Sequence, residues 1–195
     1  MKARFGRSVA VVVLLAPLLA AAQDQGWGVH DLMRELAQTR RSEARFIEHK
    51  HLKILDQPLE LSGRLLYVAP DRFEKRTLTP KPETLIVDGD SLTIHETNRS
   101  KPRRLRLQDH PAVWGFVESF RATLAGDLPA LERFYAVGLQ GTRRAWELAL
   151  VPRVQAMRAV VKQIQIHGGD GSLHRIEITE AHGDRSVMQV FEDKQ

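Results

Sequence analysis

The chain has 195 residues, with 29 Lys and Arg against 24 Asp and Glu, 43% hydrophobic residues and no cysteine. The absence of thiols excludes disulfides, cysteine-ligated zinc and thiol catalysis. The basic excess is small and scattered, which argues against a nucleic-acid binder with its clustered basic surface.

Lys2, Arg4 and Arg7 form a positive start, residues 9–19 are apolar apart from Pro17, and Ala20, Ala21 and Ala22 supply a small-residue cleavage site. The apolar run is too short to cross a bilayer comfortably. Residues 1–22 are therefore expected to be a signal peptide, and residues 23–195 a soluble exported domain. Without the first 22 residues the chain keeps 26 bases against 24 acids. That length can bury an adequate core without disulfides. No Pro-, Gly- or Ser-rich linker divides it, so one domain is expected.

Residues 27–41 predict an amphipathic helix, with Val29, Leu32, Met33, Leu36 and Ala37 on one stripe. From Glu43 the period changes to two, and residues 46–55 predict a strand. In the segment 59–73, LELSGRLLYVAPDRF, Leu59, Leu61, Leu65 and Tyr67 fall on one face with Gly63 in their row. That glycine marks either a bend or room for a ligand. Pro70 ends this strand, and residues 73–78 predict the next. Residues 84–87 and 92–95 flank Asp88-Gly89-Asp90, a hairpin signal. Residues 103–107 are short and basic.

Residues 111–125 predict a helix opened by Pro111 and ended near Gly126, carrying Val113, Trp114, Phe116, Val117, Phe120 and Leu124. A further helical turn is expected over 127–131. Strands resume at 134–139, 144–150, 160–167, 173–179 and 186–191. Roughly ten strands with short turns predict a mainly β fold with some α: an antiparallel meander curling toward a barrel, its two helical segments packed in the concavity.

No catalytic residue, cofactor or metal ligand is expected. His49 and His51 share a strand face, but no third ligand accompanies them. Ser119 lacks the glycines of a nucleophile elbow, and the carboxylates form no acid–base pair. Arg103, Arg104 and Arg106 offer an edge for an acidic partner or anionic lipid head groups, or are simply a solvated strand face. Phe46, Leu61, Leu65, Tyr67, Phe73, Trp114, Phe116 and Phe120 are either packed core or the lining and lid of an apolar cavity. Two functions follow from that choice. One is a carrier of acyl chains; the other is a structural or interaction protein with a filled β core and a basic edge.

The order of motifs resembles the periplasmic outer-membrane lipoprotein carrier family, the LolA type. The resemblance rests on ARFIE (residues 44–48), GRLLYVAPDRF (63–73), TLIVDGDSLTI (84–94) and DGSLHRIEI (170–178), behind a helix and a signal peptide. It implies an unclosed antiparallel barrel with helices as a lid over a hydrophobic cavity. It further implies a non-enzymatic, monomeric periplasmic chaperone that shields acyl chains between an inner-membrane donor and an outer-membrane acceptor. Phe73 matches a cavity-edge aromatic of the family. General lipoprotein carriers place an arginine before the proline of this motif, where it hydrogen-bonds the lid shut. Here that position is Ala69 and Arg72 lies beyond Pro70, so either another base closes the lid or the chain is a divergent paralogue, its cargo a lipoprotein, a glycolipid or an aryl-polyene-type lipid.

Overall fold

The computed structural model describes residues 26–193. The expected signal peptide, residues 1–22, lies outside them. Eleven strands form a single sheet in which every neighbouring pair is antiparallel. The strands are β1 (Arg41–His51), β2 (Leu59–Val68), β3 (Arg72–Thr79), β4 (Glu83–Asp88), β5 (Ser91–Glu96), β6 (Arg103–Arg106), β7 (Tyr135–Thr142), β8 (Ala145–Pro152), β9 (Val161–Gly169), β10 (Ser172–Glu180) and β11 (Arg185–Glu192). The helices are α1 (Val29–Leu36), α2 (Pro111–Ala125), α3 (Leu128–Phe134) and α4 (Gln155–Arg158).

The sheet runs β6-β5-β4-β3-β2-β1-β11-β10-β9-β8-β7. It is two meanders, β1–β6 and β7–β11, joined where β1 pairs with β11 from Ala44 opposite Glu192 to His51 opposite Arg185. Strands β6 and β7 are its free edges, so the barrel is not closed. The chain between those edges forms α2 and α3, which cover the concave face. Edge strand β6 carries exposed Arg103, Arg104 and Arg106. Such charges keep a free edge from pairing with another chain.

Local chemistry explains most boundaries. Helix α2 starts at Pro111, whose missing N–H would have no partner there in any case. It ends at Gly126, in the left-handed region at φ 67°. Asp127 caps α3 by accepting from the Ala130 N–H at 3.0 Å. The expected first helix is shorter than its apolar stripe suggested and stops at Leu36. The strand beginning at Arg41 has neighbours on both sides, and two ladders of hydrogen bonds outweigh a helix end that buries nothing further. Helix α4 is only four residues long and leaves no period to read. It is held by Met157, fully buried against Gly115 of α2.

The glycine of β2 is a place of close backbone approach. A Cβ on Gly63 would fall 2.0 Å from the Arg76 carbonyl oxygen and 2.8 Å from the Phe46 ring. The β2–β3 register also shifts beside it, between Ser62 and Gly63, as expected of a bulge. The gap in the apolar row is thus filled by Phe46 from the neighbouring strand.

Most of the core lies under β7–β11. Leu148, Leu150, Ile164 and Ile166 on the sheet, with Leu32 of α1 and Leu131 of α3, are all 0% exposed. A smaller cluster of Val87, Leu92, Leu107 and Val117 fills the space between α2 and the outer strands of the first meander.

Candidate ligand cavity

Between these packed regions the concave face is hollow. A cavity of about 440 Å³ lies between the sheet and helices α2 and α4, within the range of small-ligand sites, about 300–1,000 Å³. Its apolar wall is built by alternation: Leu65 and Tyr67 from β2, Phe73 from β3, Leu85 from β4, Ile176 and Ile178 from β10, Met188 and Val190 from β11. Val113, Phe116, Phe120 and Leu124 of α2 form the cover.

The cover is fixed differently on its two sides. Toward the packed half, the buried Tyr135 hydroxyl donates to the Gly115 carbonyl at 3.0 Å. Burial pushes that phenol well above its ordinary range, only partly offset by Ser119, so it remains a donor. The Met157 sulfur packs under Gly115, and Gly126 sits against the Met33 carbonyl of α1. A Cβ at Gly126 would fall 2.1 Å from that carbonyl oxygen, and one at Gly115 would have to displace the Met157 side chain. Toward the hollow half the contact is aromatic. Phe73 stacks on Phe120 with centroids 6.2 Å apart and planes 9° off parallel, and Phe120 meets Phe116 edge-on at 5.2 Å. Such contacts are worth about 1 kcal/mol each beyond burial.

Five of the eight residues singled out for this role line the cavity: Leu65, Tyr67, Phe73, Phe116 and Phe120. Three do not. Phe46, 1% exposed, fills the gap at Gly63. Leu61 packs against the main core, and Trp114 sits at its margin, edge-on to Phe134 at 5.3 Å. The Trp114 indole donates to Glu118 at 3.0 Å, and Arg121 also binds that carboxylate, so these polar groups are satisfied within α2. Arg72 turns to Asp88 at 2.9 Å on the other face of β3 and does not substitute for the arginine that Ala69 lacks.

The wall also contains polar residues absent from the expected set: Glu48 and Lys50 of β1, Lys75 of β3 and Ser186 of β11. Lys75 donates to Glu48 at 2.5 Å and Ser186 donates to it at 2.6 Å. Burial pushes the Glu48 carboxyl up, but Lys75, the Ser186 hydroxyl and Lys50 together hold it below the ordinary carboxylate value. A signal for this cluster exists in the sequence. Ala44, Phe46, Glu48 and Lys50 share one face of β1, so an apolar row runs directly into two charges.

No group of three or more His, Asp or Glu residues placed to hold a metal occurs among the described residues. His49 instead faces Glu60 at 3.2 Å. Ser119 donates to the Phe116 carbonyl of its own helix at 2.6 Å. No helix among the described residues is long and apolar enough to cross a membrane.

These features define a half-barrel fold: an open antiparallel sheet wrapped around a helix-covered apolar hollow. The chain belongs to the outer membrane lipoprotein carrier protein LolA-like family, whose model matches residues 20–190. Among solved structures it is similar to a LolA superfamily protein from Nitrosomonas europaea, with 10% identity over 86% of this chain and 94% of that one, TM-score 0.44. It is similar to a putative outer membrane lipoprotein-sorting protein domain from Vibrio parahaemolyticus, with 9% identity over 83% and 88%, TM-score 0.43. It also matches the Pseudomonas aeruginosa MucA/MucB complex, with 16% identity over 83% of this chain and 55% of that one, TM-score 0.44. No curated protein matches the sequence.

Proposed function

We propose that this protein is a periplasmic carrier that shields acyl chains of lipoproteins or other acyl lipids on their way from the inner to the outer membrane. Residues 1–22 direct its export, and residues 23–195 act as a soluble monomer without catalysis or cofactor. The observation that carries this reading is the 440 Å³ apolar hollow beneath α2. A methylene moved from water into such a hollow gains about 0.8 kcal/mol, so a modest length of chain gives useful affinity. Cargo enters and leaves when α2 lifts on its aromatic side, pivoting on the Tyr135–Gly115 side. An inner-membrane donor and an outer-membrane acceptor complete the route.

The competing function, an interaction protein with a filled core, is disfavoured by the hollow, and edge protection already accounts for Arg103, Arg104 and Arg106. Titration of the purified protein with a fluorescent fatty acid tests the proposal. Saturable binding is expected, and Phe73→Glu, which places a carboxylate against Phe120, should weaken it by about tenfold or more. No saturable binding, or a folded Phe73→Glu variant indistinguishable from wild type, would sink the carrier reading.

A further inference from the structure

The wall of the cavity holds more charge than hydrocarbon can use. Glu48 is 3% exposed, and burying an ion costs several kcal/mol unless partners compensate. Both of its oxygens are engaged at hydrogen-bond distance, by Lys75 at 2.5 Å and Ser186 at 2.6 Å. The Lys75 ammonium also lies 4.9 Å from the centroid of the Phe46 ring, in the gap that Gly63 leaves. Lys50 stands 3.8 Å from Glu48, beyond hydrogen-bond reach. One buried carboxylate is therefore faced by two ammonium ions. Each ammonium carries three donors; Lys75 uses one on Glu48, and Lys50 uses none on it. Side-chain exposures of 17% for Lys75 and 38% for Lys50 place the pair from the interior toward the rim.

The other acids of the lining lie elsewhere. Glu192 is at the opposite end of β1's partner strand, level with Ala44, and accepts from Ser172 at 3.0 Å. Glu180 is two residues past Ile178, which stands level with Ser186. They repel an anion from both ends and leave the two lysines as its attractive position.

We propose that the cavity takes an amphiphile with a single anionic oxygen head, carboxylate or phosphate, held by Lys50 and Lys75, with its hydrocarbon lying toward Phe73, Phe116 and Phe120. Glu48 is the positioning residue: it draws Lys75 across the Phe46 ring, and Ser186 fixes Glu48 in turn. The inference rests on the carrier reading and names the class of lipid end that the cavity accepts.

Calorimetric titration of the purified full chain with tridecanoate, dodecyl phosphate, dodecanol and dodecylamine tests it, since the four share a twelve-carbon alkyl chain and differ only in their head. One or both anions should bind about tenfold more tightly than dodecanol, the value of one charge-assisted hydrogen bond, and the two anions distinguish a free acid from a phosphate head. Lys50→Gln should reduce that preference to about twofold, and Lys50→Arg should restore it. Dodecanol binding as tightly as the anions would overturn the head assignment while leaving the carrier reading intact. So would a preference for dodecylamine, or an undiminished anion preference in Lys50→Gln. Binding of none of the four would remove the carrier reading and this inference together.

Discussion

The two halves of the concave face are made from similar side chains and end in different states. Under β8 and β9, Leu148, Leu150 and Ile164 are fully buried in a cluster with residues of α1, α3 and α4. Under β2–β4, Leu65, Phe73 and Leu85 remain only half-buried, although α2 lies above them. The difference lies in the covering element. Residues of α1, α3 and α4 pack into the first half, whereas over Leu65, Phe73 and Leu85 the cover is α2, which meets β3 through Phe120 stacked on Phe73. Apolar composition alone does not distinguish a core from a cavity; the spacing of what covers it does.

The sharpest way to break this comparison is the same substitution on both sides. Leu148→Ala should cost about 4 kcal/mol, because a rigid, closed site keeps the void. Leu65→Ala should cost only about 1 kcal/mol, because the residue already borders open space. Equal shifts of the urea midpoint would mean that the hollow is packed as tightly as the core.

A somewhat smaller loss is expected at the charged cluster. Lys75→Met should cost about 3 kcal/mol by leaving the Glu48 carboxylate buried without its main partner. A carboxyl held low in the folded state contributes stability above its unfolded value, near 4.3, and loses it as pH falls through the folded value. Glu48→Gln should therefore flatten the acid side of the stability–pH profile. An unchanged acid side, followed by denaturant titration from neutral pH downward, would count against the cluster as a stabilising element.

The smallest effect concerns the pivot. Tyr135→Phe removes the second hydrogen bond on the Gly115 carbonyl, which keeps its bond from the Ser119 amide within α2, and should cost about 1 kcal/mol. The amides of α2 should then exchange faster than those of β8. Uniform acceleration across the protein would argue that α2 is no looser than the rest.

Much of the fold was legible because its signals are local. Pro111 and Gly126 delimit α2 as expected from sequence, and the turns bearing Gly171 and Gly183 separate the last three strands, whereas β7 runs through Gly141 and turns at Arg143-Arg144. The end of α1 was not legible, because a strand with partners on both sides overrode a continuing apolar stripe. The pairing of β1 with β11 has no local signal at all. For the site, alternation along β2 and β3 pointed to Leu65, Tyr67 and Phe73. It could not show that Phe46 would turn into the space beside Gly63, since that depends on the register of β1 against β2, which sets the two residues opposite each other. Nor could it bring Lys75 to Glu48, which are separated by a strand and meet only across that ring.

The central seam of the sheet also has a consequence for how the protein is assembled. The stretch of wall bearing Glu48 beside Ser186, Met188 and Val190 exists only once β11 has docked on β1. Contacts between segments so distant in sequence form late and slowly. Until then the chain is two unjoined meanders with no enclosed hollow. The hollow is thus withheld until β11 docks, and loss of that strand would open it while sparing most of the residues that line it.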